Sequence, residues 1–264
     1  LFGRPPCSTR GGSSAASDVY LAAMGSRPVA VLSSLAVPSV AAGVVAAIAE
    51  GTERAARRVG AFVVGGNLAR ADAVSIHTTV VGAADDPITR GGAQPGDGLY
   101  LTGPTGEAAL GLELLLRAES DANGWKMDEA RRTLVEAWRR PRAHVAEGLL
   151  LCGHAHACMD VSDGLALDLS RLCRASGVGA TLEFDALPIS DNGRRVAASL
   201  GLEVEQLLLH GGESYVLLFA SAAKPPVDCV RVGVVDRADG IRLRREGSTR
   251  TVEPTGFDHF RSED

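Results

Sequence analysis

The sequence predicts two α+β domains. Three observations predict it. The N-terminal part is dominated by strand-like apolar alternation, long amphipathic helices take over from about residue 105, and short apolar strands then alternate with helices. The junction falls near Gly103 to Gly106, which divides the chain into residues 1–103 and 104–264. The 264 residues are 45% apolar but only 4% aromatic, so the cores are expected to be built from Ala, Val and Leu.

In chain order, a helix is expected over 17–25, stopped by Gly25, and "RPVAVLSSLAVP" reads as a strand closed by Pro38. Residues 39–58 suit a helix with Ser39 as N-cap and Arg54, Arg57 and Arg58 in its last turn, where cations meet the negative end of the dipole. "GAFVVGG" reads as a short buried strand ending in a Gly pair. "AVSIHTTVVGA" alternates, with Val74, Ile76, Thr78 and Val80 on one face. "PGDGLYLTGPTG" is turn, strand, turn. Helices follow over 106–119, 127–138 and 142–152, then a strand at 157–161, a helix at 163–175, a strand at 178–184 and a helix near 190–200. Strands near 214–220, 229–235 and 240–245 end the series.

Composition narrows the function classes. A net charge of −5 with scattered basic residues gives no support for a nucleic-acid partner. The longest weakly polar run, "VAVLSSLAVPSVAAGVVAAIAE", is broken by Pro38 and serines and falls short of the ~20 residues a membrane span needs. Cysteines 7, 152, 158, 173 and 229 are odd in number and lack metal-ligand spacing, so reduced thiols in a cytoplasmic protein are expected. The Gly/Ser/Pro-rich start "LFGRPPCSTRGGSSAAS" has no initiator Met and no apolar signal core; it reads as a disordered lead-in or a truncated start.

Several short stretches could carry chemistry. In "HACMDVSDGLALDL", Asp160, Ser162 and Asp163 crowd the point where a strand becomes a helix. Leu165, Leu169, Leu172 and Cys173 give that helix one apolar face, and Gly177 supplies its stop. A helix start favours phosphate, and carboxylates beside it can hold Mg²⁺. Equally, Ser162 or Asp163 can be a simple N-cap worth about 1 kcal/mol. Gly65-Gly66-Asn67 can let the backbone approach a phosphate, or form an ordinary tight turn. "HGGESYVLLF" places Glu213 and Ser214 at the mouth of a strand whose Val216 and Leu218 oppose Tyr215, Leu217 and Phe219. There Glu213 can meet a cation or sit in a plain turn. The aromatics of "GFDHF" can stack on a planar ligand or seal the core. Arg90, alone in a Gly-rich loop, is either solvated or a phosphate partner.

Taken in order, "LAAMGSRPVAVLSSLAVP", "GGNLARADAVSIHTTVVG", "RGGAQPGDGLYLTGPTGEAALGLELL", "MDVSDGLALDLSRL", "HGGESYVLLF" and "GFDHF" resemble the thiamine-monophosphate kinase family, of the aminoimidazole ribonucleotide synthetase-related superfamily. The resemblance runs from about residue 17 to residue 260. It implies a two-domain α+β subunit, its N-terminal domain forming a β-barrel-like core with a twin in a homodimer and followed by a C-terminal α/β domain. The reaction implied is ATP-dependent phosphorylation of thiamine monophosphate to thiamine diphosphate with Mg²⁺. On the matching positions, the resemblance implies Asp160, Asp163, Asp18 and Asn67 as metal ligands, and Gly65, Gly66, Asn67, Arg90 and Ser162 on the nucleotide. It implies Glu213 and Phe257 on the thiamine moiety.

The chain also departs from that pattern. No counterpart of the family's N-terminal Gly-Asp-Asp segment is found, which reads as a truncated or diverged copy. Counting back from Gly25 puts Tyr20 where the family has an acid; Asp18 sits two residues early, a rotation of about 200° on a helix. Asn67 and Ser214 each replace a family Asp. A catalytically weak nucleotide-binding protein or scaffold of the same superfamily therefore stays open as the alternative.

Overall fold

A computed structural model describes residues 20–38, 42–120 and 127–257. Strand β1 (Arg27–Val37) leads through helix α1 (Ala42–Arg58) to β2 (Phe62–Arg70), and β3 (Ser75–Ala83) follows. The order is β2-β1-β3, with β1 parallel to β2 and antiparallel to β3. Parallel neighbours need a crossover, and α1 supplies it. It packs through Ala56 onto Val31, with Ala61 closing the cluster. Ser39, the expected cap of this helix, lies outside the described residues.

The expectation of a short buried strand at "GAFVVGG" is corrected. β2 runs on to Arg70, is exposed along its whole length, and carries the Gly pair inside it. Leu32 pairs with Gly65 and Ser33 with Gly66. A Cβ on Gly66 (φ +153) would collide with the Ser33 carbonyl. This glycine is therefore required by strand pairing at an irregular register.

The remaining elements are β4 (Gly98–Leu101), α2 (Glu107–Ser120), α3 (Glu129–Arg139), α4 (Val145–Leu151), β5 (Ala157–Asp160), α5 (Leu165–Ser176), β6 (Gly179–Glu183), α6 (Asp191–Ser199), α7 (Val204–His210), β7 (Leu217–Ser221), β8 (Val230–Asp236), β9 (Ile241–Arg245) and β10 (Ser248–Val252). Seven strands form one sheet in the order β10-β9-β6-β8-β4-β7-β5. β6 and β9 are parallel and the other pairs antiparallel. β4 lies before the expected junction at residues 103 and 104, yet it pairs with β7 and β8 inside this sheet.

Alternation along the strands serves two cores. Leu99, Leu101, Met159 and Leu218 face α5 through Leu165, Leu169 and Leu172. Tyr100, Cys158, Leu217 and Phe219 face the opposite cluster, which Ala22, Ala23, Val145 and Leu151 complete. Tyr100 stacks on Phe219 with ring centres 5.3 Å apart. The helical turn at residues 20–23 is clamped to α4 through Ala22 and Ala23. Gly148 passes so close to the Ala22 carbonyl that a Cβ would collide with it. A separate layer of α2, α3 and α6 packs Leu110, Leu114, Leu134 and Val196 together.

Two elements escaped the sequence reading. α7 is only seven residues long. β10, "STRTV", buries Val252 alone and owes its place to a tight turn at Glu246-Gly247, both at positive φ.

Candidate functional site at the β5–α5 corner

β5 ends at Asp160, and Val161-Ser162-Asp163-Gly164 turns the chain into α5. The expected apolar face is present, with Leu165, Leu169, Leu172 and Cys173 buried, and Gly177 ends the helix in the left-handed region. The capping expectation is corrected: neither Ser162 nor Asp163 caps α5. Gly164 (φ 123) occupies the position before the helix, and no side chain bonds there as a cap. The loop is instead held from within the helix. Asp168, wholly buried, accepts the backbone N–H groups of Ser162 (3.0 Å) and Asp163 (2.9 Å). One guanidinium nitrogen of Arg171 then reaches both Asp163 and Asp168 at 2.6 Å.

These acids are desolvated. Asp160 is 3% exposed, and burial raises its pKa against the opposing pull of Arg90 and a hydrogen bond from Ser162. Burial likewise pushes Asp168 up to about 6, despite the Asp163 N–H and Arg171. Asp160 makes no ion pair closer than 4 Å among the described residues, so its charge is left to be neutralised at this corner.

Two distant segments are sewn to the loop. Glu213 donates its N–H to the Ser162 carbonyl at 2.7 Å, Tyr215 to that of Val161 at 2.8 Å, and Phe257 to that of Asp163 at 2.9 Å. Gly212 and Gly256 make the approach possible: a Cβ on Gly212 would lie 2.8 Å from the Ser162 carbonyl, and one on Gly256 would collide with that of Asp163. Glu213 (φ 66) and Tyr215 (φ 52) both hold positive φ, sparsely populated for side chains of this size. The Tyr215 hydroxyl is 3.4 Å from the Glu213 carboxylate, and burial raises its pKa.

The loop carrying Arg90 runs beside β5. Cys158 donates its N–H to the Thr89 carbonyl at 2.9 Å, and the Ser176 hydroxyl donates to the Arg90 carbonyl at 3.2 Å. Arg90 is close enough to lower the pKa values of Asp160 and Tyr20. Burial, then Asp160 and Asp163, raise the pKa of Tyr20, so the phenol is within electrostatic reach of the acids. Asp18 lies outside the described residues.

The structure thus gathers Asp160, Ser162, Asp163, Glu213 and Phe257, with Arg90 and Tyr20 in electrostatic reach. Gly65, Gly66 and Asn67 are elsewhere. They line a cleft of about 710 Å³ between α1 and β2, together with Ser33, Glu50 and Glu53. No hydrogen bond or ion pair joins them to the acidic loop among the described residues. The desolvated charges, by contrast, are at the corner, and charge is what phosphate chemistry needs. Asp168, Arg171 and Tyr215 were missed in the sequence. The available signal for the first was an acid on an otherwise apolar helix face between Leu165 and Leu172.

Among the described residues no group of three or more His, Cys, Asp and Glu side chains makes a ready-built metal cage. The donors at the corner are two carboxylates and a hydroxyl. That set suits Mg²⁺, which takes one or two carboxylates and fills its shell with phosphate oxygens and water.

The model for the N-terminal domain of AIR synthase related proteins matches residues 11–84, and that for the C-terminal domain matches residues 94–243. The thiamine-monophosphate kinase of Archaeoglobus fulgidus is 34% identical over 244 residues, covering 92% of this chain and 75% of that protein. The chain belongs to the thiamine-monophosphate kinase family. The Aquifex aeolicus thiamine-monophosphate kinase is 30% identical over 213 residues, covering 80% of this chain and 67% of that protein. Among solved structures, AaThiL complexed with AMPPCP and TMP superposes with a TM-score of 0.84 at 29% identity, covering 94% of this chain and 81% of that one. The expected two-domain α+β fold of the superfamily is therefore the fold observed, and as a family member the chain is a phosphotransferase with a nucleotide site.

Proposed function

We propose that the β5–α5 corner is where the phosphates of ATP and thiamine monophosphate meet. The reaction is ATP-dependent phosphorylation of thiamine monophosphate to thiamine diphosphate. An oxygen of the monophosphate attacks the γ-phosphorus, and the bond from that phosphorus to ADP breaks. One observation carries the assignment to this corner. The loop holding Asp160 and Asp163 is hydrogen-bonded to both segments expected to meet thiamine, through Glu213 and Phe257.

Two anions must approach each other, so the protein's task is positioning and charge neutralisation. In this reading Asp160 and Asp163 hold Mg²⁺, with Asp18 as a further ligand, while Asn67 would ligate an ion at the separate α1–β2 cleft. Bound there, Mg²⁺ would offset the charge building on the phosphate oxygens. Ser162 donates its hydroxyl to a phosphate oxygen, Arg90 adds positive charge beside it, and Gly65, Gly66 and Asn67 meet the nucleotide. Glu213 faces the cationic part of thiamine, and Phe257 covers a ring.

The domain proposal is kept with its junction moved into residues 84–97, which leaves the seven-stranded sheet whole. A homodimer is proposed through the three-stranded sheet, the start of a shared barrel, because Phe62 (67% exposed), Val64 and Leu68 bare apolar surface along an edge strand. A cytoplasmic setting is proposed from the thiols of Cys152, Cys158, Cys173 and Cys229. Among the described residues no helix is long and apolar enough to cross a membrane.

The test is formation of thiamine diphosphate from Mg·ATP and thiamine monophosphate by the purified chain. Product formation that Asp160→Asn and Asp163→Asn both suppress is expected. Turnover that neither change affects would move the chemistry away from this corner.

A further inference from the structure

Arg171 is the cation already present at the acidic corner. It projects from α5, three residues after Asp168 and eight after Asp163, and a single nitrogen, Nη1, lies 2.6 Å from each carboxylate. Asp168 is wholly buried and committed to the backbone of Ser162 and Asp163, whereas Asp163 keeps more than a quarter of its side chain exposed. The two ion pairs therefore differ in kind. The Asp168 pair is anchored from below, and the Asp163 pair is open to exchange.

We propose that Arg171 is a built-in counter-ion that occupies the Asp163 carboxylate until a divalent cation displaces it. The proposal rests on the reading of Asp160 and Asp163 as the metal-holding pair. Without Arg171, Asp160, Asp163 and Asp168 would crowd three negative charges into one corner and repel one another. With it, part of that charge is offset in the empty state, and a divalent ion arriving with phosphate must compete for Asp163. Arg171 does not leave the corner when it yields, because Asp168 retains it. It acts as a positioning residue: it sets how readily the corner takes a cation before nucleotide arrives.

The experiment is a titration of the full chain with Mn²⁺ as probe, without nucleotide, read by electron paramagnetic resonance of the free ion. Arg171→Gln is expected to tighten Mn²⁺ binding about tenfold, and Arg171→Lys to restore parent-like affinity. Asp163→Asn is expected to change affinity less than about threefold in the parent but to abolish the gain in the Arg171→Gln background. Equal or weaker binding by a folded Arg171→Gln protein would overturn the proposal, since a purely structural arginine predicts that result. Should Arg171→Gln not fold, the parent and Asp163→Asn decide: a loss of tenfold or more in Asp163→Asn would show that Asp163 was never held back. If no variant binds Mn²⁺, even with an ATP analogue present, the metal reading itself falls. Binding that appears only with the analogue leaves the metal reading intact, and the parent, Arg171→Gln and Arg171→Lys are then compared in its presence, where tighter binding by Arg171→Gln alone supports the proposal and equal or weaker binding overturns it.

Discussion

The backbone N–H of Phe257 donates to the carbonyl of Asp163 at 2.9 Å, tying the C-terminal segment to the acidic loop. This contact needs a glycine at 256, because a Cβ there would collide with the Asp163 carbonyl and lie 3.0 Å from Leu167. Gly256→Val should lift the segment off the loop. The expected outcome is a KM for thiamine monophosphate raised by about tenfold. The KM for ATP and the melting temperature should change little. Steady-state kinetics with each substrate varied in turn, alongside a thermal melt, checks it; an equal rise in both KM values would place Phe257 outside the thiamine side.

Asp168 is the structural acid of the corner. Asp168→Ala would strand the N–H groups of Ser162 and Asp163 and is expected to cost about 2 to 4 kcal/mol of stability. Urea unfolding measures this directly, as a lower midpoint at unchanged slope.

Asp160 should behave in the opposite way. Burial already disfavours its charge, so Asp160→Asn removes a desolvated carboxylate and should leave stability unchanged or slightly raised. Its affinity for Mg·ATP should fall by about tenfold or more. Calorimetry at saturating Mg²⁺ reads the affinity, and a large drop in stability would recast Asp160 as a structural hydrogen-bonder.

His144 gives the fold a pH dependence. Burial holds its pKa below the ordinary histidine value; Glu147 pulls it upward and Arg142 adds to the lowering. As pH falls through about 6.5, the unfolded chain takes up a proton that folded His144 refuses. The unfolded state then binds more protons, so stability declines on acidification until the folded pKa is passed. His144→Gln should lose less stability than the parent between about pH 7.5 and about pH 5.5. Denaturant midpoints at the two pH values supply the comparison.

The corner was legible wherever it obeys local rules. The leucine spacing after Gly164, the stop at Gly177 and the opposed faces of β7 all follow from side-chain periodicity, and each appears as expected. What escaped depends on contacts between distant or unusual positions. Asp168 lies on the apolar face of its helix, but its role shows only once its bonds back to Ser162 and Asp163 are seen. That Gly66 lies against the Ser33 carbonyl inside a strand is hidden too, because nothing in the neighbouring residues reveals that pairing. β10 is polar enough to pass for loop until it pairs with β9.

The stitching of the acidic loop also bears on how the molecule comes into being. Asp160 to Gly164 leave the ribosome well before Glu213 and Phe257, whose backbone groups fix the loop's outer side. During synthesis the helix behind the loop can form early, since its leucines and Asp168 are local. The outer side of the loop gains its hydrogen bonds only once Glu213 and then Phe257 have emerged. A nascent chain thus completes this corner only after Phe257 has emerged, more than ninety residues after the acids it helps to hold.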